Sequence, residues 1–204
     1  LRHEVRAARA IASPNVCRIF DLVDEGGAEL LSMEYVDGET LAQTLWARGP
    51  LEPREAREIA AQLLSGLEAI HRAGLVHGDL KPENVMITRA GRVVVMDLGV
   101  ARATQDARAK TVSGTPAYMS PEQARGNGVD ARADVYAAGV VLAEMLSLGG
   151  AGWTSARQAL WLAVRETPPR VPEGAWVPVL GRALDARLEE RYASARALAR
   201  ALEE

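Results

Sequence analysis

Residues 75–85 read Leu75-Val76-His77-Gly78-Asp79-Leu80-Lys81-Pro82-Glu83-Asn84-Val85, and the interpretation of the whole chain depends on them. Apolar residues at both ends can be held in a core, whereas Gly78, Pro82 and Asn84 favour a loop between them. The loop carries an Asp, then a Lys, then an Asn. This combination suits phosphoryl transfer, because a carboxylate can orient a hydroxyl, an ammonium can meet phosphoryl charge and an amide oxygen can bind a metal. A solvated polar turn is the alternative interpretation.

A second polar motif follows a predicted β-hairpin. Residues 85–88 and 92–96 are rich in β-branched residues and are separated by a turn that contains Gly91. Pairing of these two runs would return Asp97 to the neighbourhood of Asn84. Two oxygen ligands meeting there fit Mg²⁺, which needs few protein ligands and completes its shell with water and substrate phosphates. The sequence therefore predicts a magnesium site at the end of the hairpin.

Both motifs resemble those of protein kinases. Residues 77–84 are similar to the catalytic loop H-R-D-L-x-x-x-N, with Gly78 in the place of Arg, and residues 97–99 are similar to D-F-G, with Leu98 in the place of Phe. The resemblance implies that Asp79 orients and deprotonates a substrate hydroxyl, that Lys81 steadies the transferring phosphoryl group, that Asn84 and Asp97 hold Mg²⁺, and that His77, Leu98 and Gly99 have structural roles.

Composition narrows the class of protein. The chain has 204 residues, 48% of them apolar, which fits about one domain of ordinary size. A net charge of −3 with interspersed signs gives no indication of nucleic-acid binding. The single Cys17 excludes an internal disulfide and is expected to be a small buried hydrophobe in a reducing compartment. No apolar run reaches the roughly 18 to 20 residues of a membrane span, so we expect a cytoplasmic domain, although segments elsewhere could tether a longer protein to a membrane.

The first 36 residues predict a helix and two strands. Apolar residues recur at helical spacing up to Ala12, and strand-like runs follow at 16–23 and 30–36, joined by a turn at 24–27. The kinase resemblance matches these segments to the small-lobe helix αC and to the kinase strands β4 and β5. It implies that Glu4 is the αC glutamate, that Met33 guards the rear of the adenine pocket, that Glu34 and Val36 lie on the hinge, and that Met86 also lines the pocket. A solvated carboxylate on a helix face is the alternative for Glu4.

Two parts of the kinase pattern are missing from this sequence. No Lys precedes Lys81, and no G-x-G-x-x-G lies upstream of it. The glycine-rich phosphate cover and the strand lysine are therefore expected to lie outside these 204 residues or to have been lost. We accordingly expect the chain alone to show no measurable kinase activity and at best weak ATP binding.

The segment after the D-L-G motif resembles a kinase activation segment. Residues 100–112 have no sustained period, which predicts a mobile segment, and Thr111 matches the usual phosphorylation site. Residues 114–122 resemble the end of the activation segment in serine/threonine kinases, with Ser120 in the place of the Ala of A-P-E. By this resemblance Thr115 ties Asp79 to Lys81 and Glu122 pairs with Arg191. A simple turn residue is the alternative for Thr115.

Helices dominate the rest of the chain. A short helix is predicted at 40–47, a long amphipathic helix at 54–73 with His71 as a cation near its end, and three further helices at 154–167, 176–184 and 194–202. Residues 131–146 are apolar nearly all round, which predicts a central buried helix. Asp134 lies near its start, and the matching Asp of kinases braces the catalytic-loop backbone.

The sequence as a whole predicts an α+β, protein-kinase-like fold of the bacterial (Hanks) serine/threonine type. Residues 1–36 would form a partial N-terminal lobe and the start of the hinge, and residues 37–204 would form a mostly helical C-terminal lobe. The implied function is transfer of the γ-phosphoryl group of Mg·ATP to Ser or Thr hydroxyls of protein substrates. The alternative is a pseudokinase that acts as a non-catalytic interaction module.

Overall fold

The structure is a computed structural model that describes residues 2–26, 28–98, 102–103, 114–146 and 174–204. Gly99, Thr111 and the helix predicted at 154–167 lie outside these residues. Numbered along this chain, the elements are α1 (Arg2–Arg9), β1 (Ile19–Glu25), β2 (Ala28–Met33), β3 (Gly38–Thr40), α2 (Leu41–Arg48), α3 (Pro53–Arg72), β4 (Leu75–Val76), a 3₁₀ turn (Pro82–Asn84), β5 (Val85–Thr88), β6 (Val93–Val95), β7 (Arg102–Ala103), α4 (Pro121–Ala124), α5 (Ala131–Met145), α6 (Val177–Ala183) and α7 (Ala195–Glu203).

Helices α3 and α5 form the centre of the core. The inward face of α3 carries Leu63, Leu67 and Ile70, which are fully buried, as its helical spacing predicts. Burial covers nearly the whole surface of α5, which confirms the predicted central helix. Among the described residues, no helix is both long and apolar enough to cross a membrane.

The hairpin that carries both polar motifs is present as predicted. Strands β5 and β6 pair antiparallel, with Val85 opposite Val95, and β3 adds a third strand on the other side of β5. Beyond the ladder, the Met96 N–H donates to the Asn84 carbonyl at 2.8 Å. Asp97 therefore follows a residue that is hydrogen-bonded to Asn84, which is the proximity that the hairpin predicts.

The first elements differ in their boundaries from the prediction. The first strand starts at Ile19 rather than at residue 16, because the residues just before it bond to β6 instead. The Cys17 N–H donates to the Val95 carbonyl at 2.9 Å, the Val95 N–H donates to the Asn15 carbonyl at 2.9 Å, and the Asn15 side-chain amide donates to the Val93 carbonyl at 2.8 Å. The second strand ends at Met33 and does not continue to residue 36. Helix α1 ends at Arg9, before the predicted end at residue 12, because the chain tightens into a turn there.

Candidate active site

Asp79, Lys81 and Thr115 form a closed triangle of polar contacts. One carboxylate oxygen of Asp79 accepts a hydrogen bond from the Thr115 backbone N–H at 2.5 Å, and the other lies 3.0 Å from the Lys81 ammonium nitrogen. The same ammonium donates to the Thr115 hydroxyl at 2.9 Å. The side chains of Asp79 and Lys81 keep 12% and 23% of their area exposed, so neither is fully buried. The contacts that the sequence predicted for Thr115 are present.

His77 links the two polar motifs through its ring. Its Nε2 lies 2.9 Å from the Met96 carbonyl, which can only accept, so Nε2 carries the proton. Its Nδ1 is then free to accept the Asp79 backbone N–H at 3.3 Å. The ring is completely buried. His77 therefore holds the Asp79 backbone in a fixed position relative to Met96, the residue before Asp97.

Asp134 holds the start of the catalytic loop from the buried end of α5. Its carboxylate accepts the His77 N–H at 2.8 Å and the Gly78 N–H at 2.9 Å. His71 adds a third hydrogen bond from Nε2 at 2.7 Å. Burial by itself would raise the pKa of Asp134, but the His71 side chain and the loop N–H groups outweigh it and leave the pKa below its ordinary value.

His71 lies in the last turn of α3, as predicted, but the sequence did not predict its partner. Its side chain is 9% exposed, and its Nε2 contacts the buried Asp134 carboxylate. The pairing joins residues 63 positions apart, so the helix pattern around His71 carries no signal for it.

Asn84 and Asp97 carry side-chain oxygens of the kind that binds Mg²⁺, and both lie at the same end of the β5–β6 hairpin. The Asn84 side-chain nitrogen donates to the Asp79 carbonyl at 2.9 Å, so its amide oxygen is the atom with ligand chemistry. Asp97 is exposed and has φ +56°, a left-handed backbone conformation that is uncommon for non-glycine residues, although Asp tolerates it better than most. Leu98, directly after it, is buried in the core. These residues fit the predicted metal site.

The residues predicted to contact adenine do not all share one environment. Val36 is buried against Cys17 and Val94, and Met86 packs on the same cluster. Met33 remains 42% exposed at the end of β2. Glu4 lies in α1.

Glu34 makes its strongest contact away from this cluster. Its carboxylate meets Arg92 at 2.5 Å, and the hydrogen bond from Arg92 lowers the pKa of Glu34. Its backbone N–H already donates to the Arg18 carbonyl at 2.8 Å. Its carbonyl receives only a weak contact from the Cys17 thiol at 3.7 Å. Of the two backbone groups of Glu34, the carbonyl is thus the one without a strong hydrogen bond in the described part of the chain.

Glu122 and Arg191 form the predicted ion pair. The guanidinium donates to both carboxylate oxygens, at 2.7 and 2.8 Å, and the Arg191 side chain has no exposed area. The pair connects α4 to the segment before α7. It therefore anchors the end of the segment that runs from Thr115 into α4.

Two polar contacts near the loop were missed by the sequence interpretation. Tyr118 donates its hydroxyl to Glu144 at 2.9 Å, and the Gln123 amide donates to the Gly78 carbonyl at 2.9 Å. Both partners lie far away along the chain. The S-x-x-Q spacing of Ser120 and Gln123 could have indicated a capping box, but not the contact with the loop.

The chain belongs to the protein kinase domain family. The sequence profile of that family, described as "Protein kinase domain", matches residues 1–162.

Several named kinases are similar to this chain. The probable serine/threonine-protein kinase PknB of Bifidobacterium longum is 39% identical over 216 aligned positions, which cover 95% of this chain and 31% of that protein. Serine/threonine-protein kinase PknB of Mycobacterium leprae is 42% identical over 154 residues (72% of this chain, 25% of that protein). Serine/threonine-protein kinase PrkC of Bacillus subtilis is 40% identical over 149 residues (72% and 23%). This chain thus spans less than a third of the length of each.

Proposed function

We propose that this chain is the catalytic part of an ATP-dependent protein serine/threonine kinase. The observation that carries the proposal is the triangle of Asp79, Lys81 and Thr115, with Asn84 bonded to the backbone of Asp79. It holds a carboxylate and an ammonium in fixed positions beside the candidate Mg²⁺ ligands. Catalysis of phosphoryl transfer rests mainly on such positioning and on charge stabilisation.

In the proposed reaction, a Ser or Thr hydroxyl of a protein substrate attacks the γ-phosphorus of ATP. The bond from that phosphorus to the bridging oxygen breaks, ADP leaves, and the hydroxyl proton passes to the Asp79 carboxylate. Lys81 places positive charge next to the transferring group, while Thr115 restricts the rotation of Asp79. Mg²⁺, when held by Asn84 and Asp97, would supply the charge that neutralises the phosphates.

The residues kept at the site argue against a purely structural module. A non-catalytic interaction domain needs neither an exposed Asp97 at a positive φ nor an Asp79 in contact with an ammonium. The names of the relatives support Ser/Thr over Tyr as the acceptor. A cytoplasmic location follows from the use of ATP, and the net charge of −3 favours protein substrates over nucleic acid.

The test is an assay of phosphoryl transfer with two forms of the protein. The full-length gene product, with Mg·ATP and a mixture of Ser- and Thr-containing peptides, should yield phosphoserine or phosphothreonine. The 204 residues alone should yield none, because they contain no lysine before Lys81 to anchor the phosphates. A full-length product that binds Mg·ATP but never transfers phosphate would contradict the proposal.

A further inference from the structure

Two short helices of this chain begin with the same arrangement of side chains. At the start of α4, the Ser120 hydroxyl accepts the Gln123 N–H, and the Gln123 side-chain oxygen accepts the Ser120 N–H at 3.1 Å. At the start of α2, Thr40 and Gln43 repeat the pattern, with the Thr40 N–H donating to Gln43 at 2.8 Å. Each is a capping box, which satisfies backbone N–H groups at a helix start.

Only one of the two boxes reaches the catalytic loop. The side-chain nitrogen of Gln123 donates to the Gly78 carbonyl at 2.9 Å, and Gln123 is 5% exposed. Gln43 lies on the surface, and within the described ranges its side-chain nitrogen has no such contact. The side-chain nitrogen of Gln123 therefore makes a contact that the capping of α4 does not require.

The carbonyl that Gln123 contacts belongs to the peptide bond that leads into Asp79. The Gly78 N–H is held by Asp134 at 2.9 Å. Gln123 holds the carbonyl of the peptide bond between Gly78 and Asp79. The N–H of the same peptide bond, which belongs to Asp79, donates to His77 Nδ1 at 3.3 Å. The orientation of the Asp79 main chain is thus set from α5, from His77 and from α4.

The segment that carries Thr115 passes against the same carbonyl. A Cβ atom on Gly114 would lie 2.8 Å from the Gly78 oxygen, closer than real side chains come, and Gly114 has φ +123°. The approach therefore needs glycine at this position. Position 78 also carries no cation in this chain, so these neutral contacts join the two segments where the kinase pattern has an arginine.

We propose that Gln123 is a positioning residue of the kinase reaction: through its amide hydrogen bond to the Gly78 carbonyl, it holds Asp79 and the 114–123 segment in their working arrangement without a charged partner at position 78. The proposal rests on the proposed kinase function. It assigns Gln123 a role that acts through Asp79, since Gln123 touches no reacting atom.

The most informative variant is Gln123→Glu in the full-length protein. Glu serves in a capping box as well as Gln does, so the cap of α4 survives the change. An ionised carboxylate has no proton to donate, however, and it would face the Gly78 carbonyl with negative charge. We expect kcat to fall by about 10- to 100-fold near pH 8, with the KM for ATP nearly unchanged, because small displacements of a reacting group have costs of this order.

A pH series then separates positioning from general damage. The carboxyl introduced by Gln123→Glu regains a donor when it is protonated, and burial at this 5%-exposed position raises its pKa above the ordinary Glu value of about 4.3. The ratio of the kcat of this variant to that of the wild type should therefore rise as the pH is lowered from 8 to 5. Gln123→Met lacks a donor at every pH, and its ratio should stay low and flat. Gln43→Glu is the matched control with the same cap chemistry, and it should keep the wild-type kcat throughout. Equal kcat values for Gln123→Glu and the wild type at pH 8, or a flat ratio, would overturn the proposal.

Hydrogen–deuterium exchange tests the same contact without relying on activity. At pH 8, Gln123→Glu should speed amide exchange within residues 75–85, while Gln43→Glu should leave it unchanged. If the wild type transfers no phosphate, the proposed function fails, and exchange alone decides this inference: faster exchange supports it, and unchanged exchange refutes it.

Discussion

Replacement of Arg191 by Met should destabilise the protein strongly. The Arg191 guanidinium makes two short hydrogen bonds to Glu122, at 2.7 and 2.8 Å, and a third to the Asp185 carbonyl at 2.6 Å. Its central carbon also lies 5.0 Å from the centre of the Tyr136 ring. Met fills a similar space but leaves the buried Glu122 carboxylate without its cation.

The size of the effect follows from this geometry. Removing one partner of a buried ion pair costs about 3–5 kcal/mol, chiefly because the remaining charge is left unpaired. For a domain of about 200 residues each kcal/mol lowers Tm by about 2–4 °C, so we expect Tm to fall by about 6–20 °C. Urea unfolding, followed by circular dichroism, gives the corresponding free energy.

A double-mutant cycle identifies the cause. The double variant Arg191→Met with Glu122→Gln should lose less free energy of unfolding than the two single variants lose together, because no unpaired buried charge remains in it. Arg54→Met serves as the control, since the Arg54–Glu58 pair is largely exposed, with side chains 92% and 65% accessible, and such pairs contribute about 0–1 kcal/mol. If Arg191→Met lowered the free energy of unfolding no more than Arg54→Met does, the reasoning would be refuted.

Three further predictions concern the metal site, regulation and pH. Asp97→Ala should weaken Mg·ATP binding by about tenfold or more in calorimetry, since a ligand oxygen is lost, and unchanged affinity would remove Asp97 from the site. Thr111→Ala should leave most of the kinase activity of the full-length protein, because Gly78 supplies no cation for a phosphate at Thr111, and loss of most activity would contradict this. Burial raises the pKa of Glu144, although the Tyr118 hydroxyl opposes it. A carboxyl whose pKa is raised in the folded state stabilises the fold fully below its unfolded pKa of about 4.3 and loses that contribution as the pH rises. The free energy of unfolding of Glu144→Gln should therefore increase relative to that of the wild type between pH 4 and pH 7.5. A difference between the two that does not change with pH would contradict this prediction.

The sequence was sufficient where the signal is local. The apolar periodicity of α3, the continuous apolar surface of α5 and the Gly91 turn between β5 and β6 each predict an element that is present. The hairpin also brought Asp97 near Asn84, because an antiparallel pair returns the chain to its start. The central part of the site thus follows from one loop and one hairpin.

The remaining features depend on contacts between distant parts of the chain. Residues 16 and 17 read as strand, but Val16 bridges Val95 of β6 and the Cys17 N–H donates to the Val95 carbonyl, so β1 starts only at Ile19. His71 and Gln123 each bond to a partner more than 40 positions away, at Asp134 and Gly78. Local periodicity carries no information about such pairs, since tertiary packing decides them.

The most direct test of the account is the rate of phosphoryl transfer by Asp79→Asn in the full-length protein, measured together with its affinity for Mg·ATP. Asn keeps the size of the side chain but cannot accept the hydroxyl proton as a carboxylate does. We expect transfer to a Ser/Thr peptide to fall by about 10² to 10⁴-fold, the usual contribution of a general base, while Mg·ATP affinity stays close to that of the wild type. Equal transfer rates in the variant and the wild type would contradict the assignment of Asp79 and, with it, the proposed mechanism.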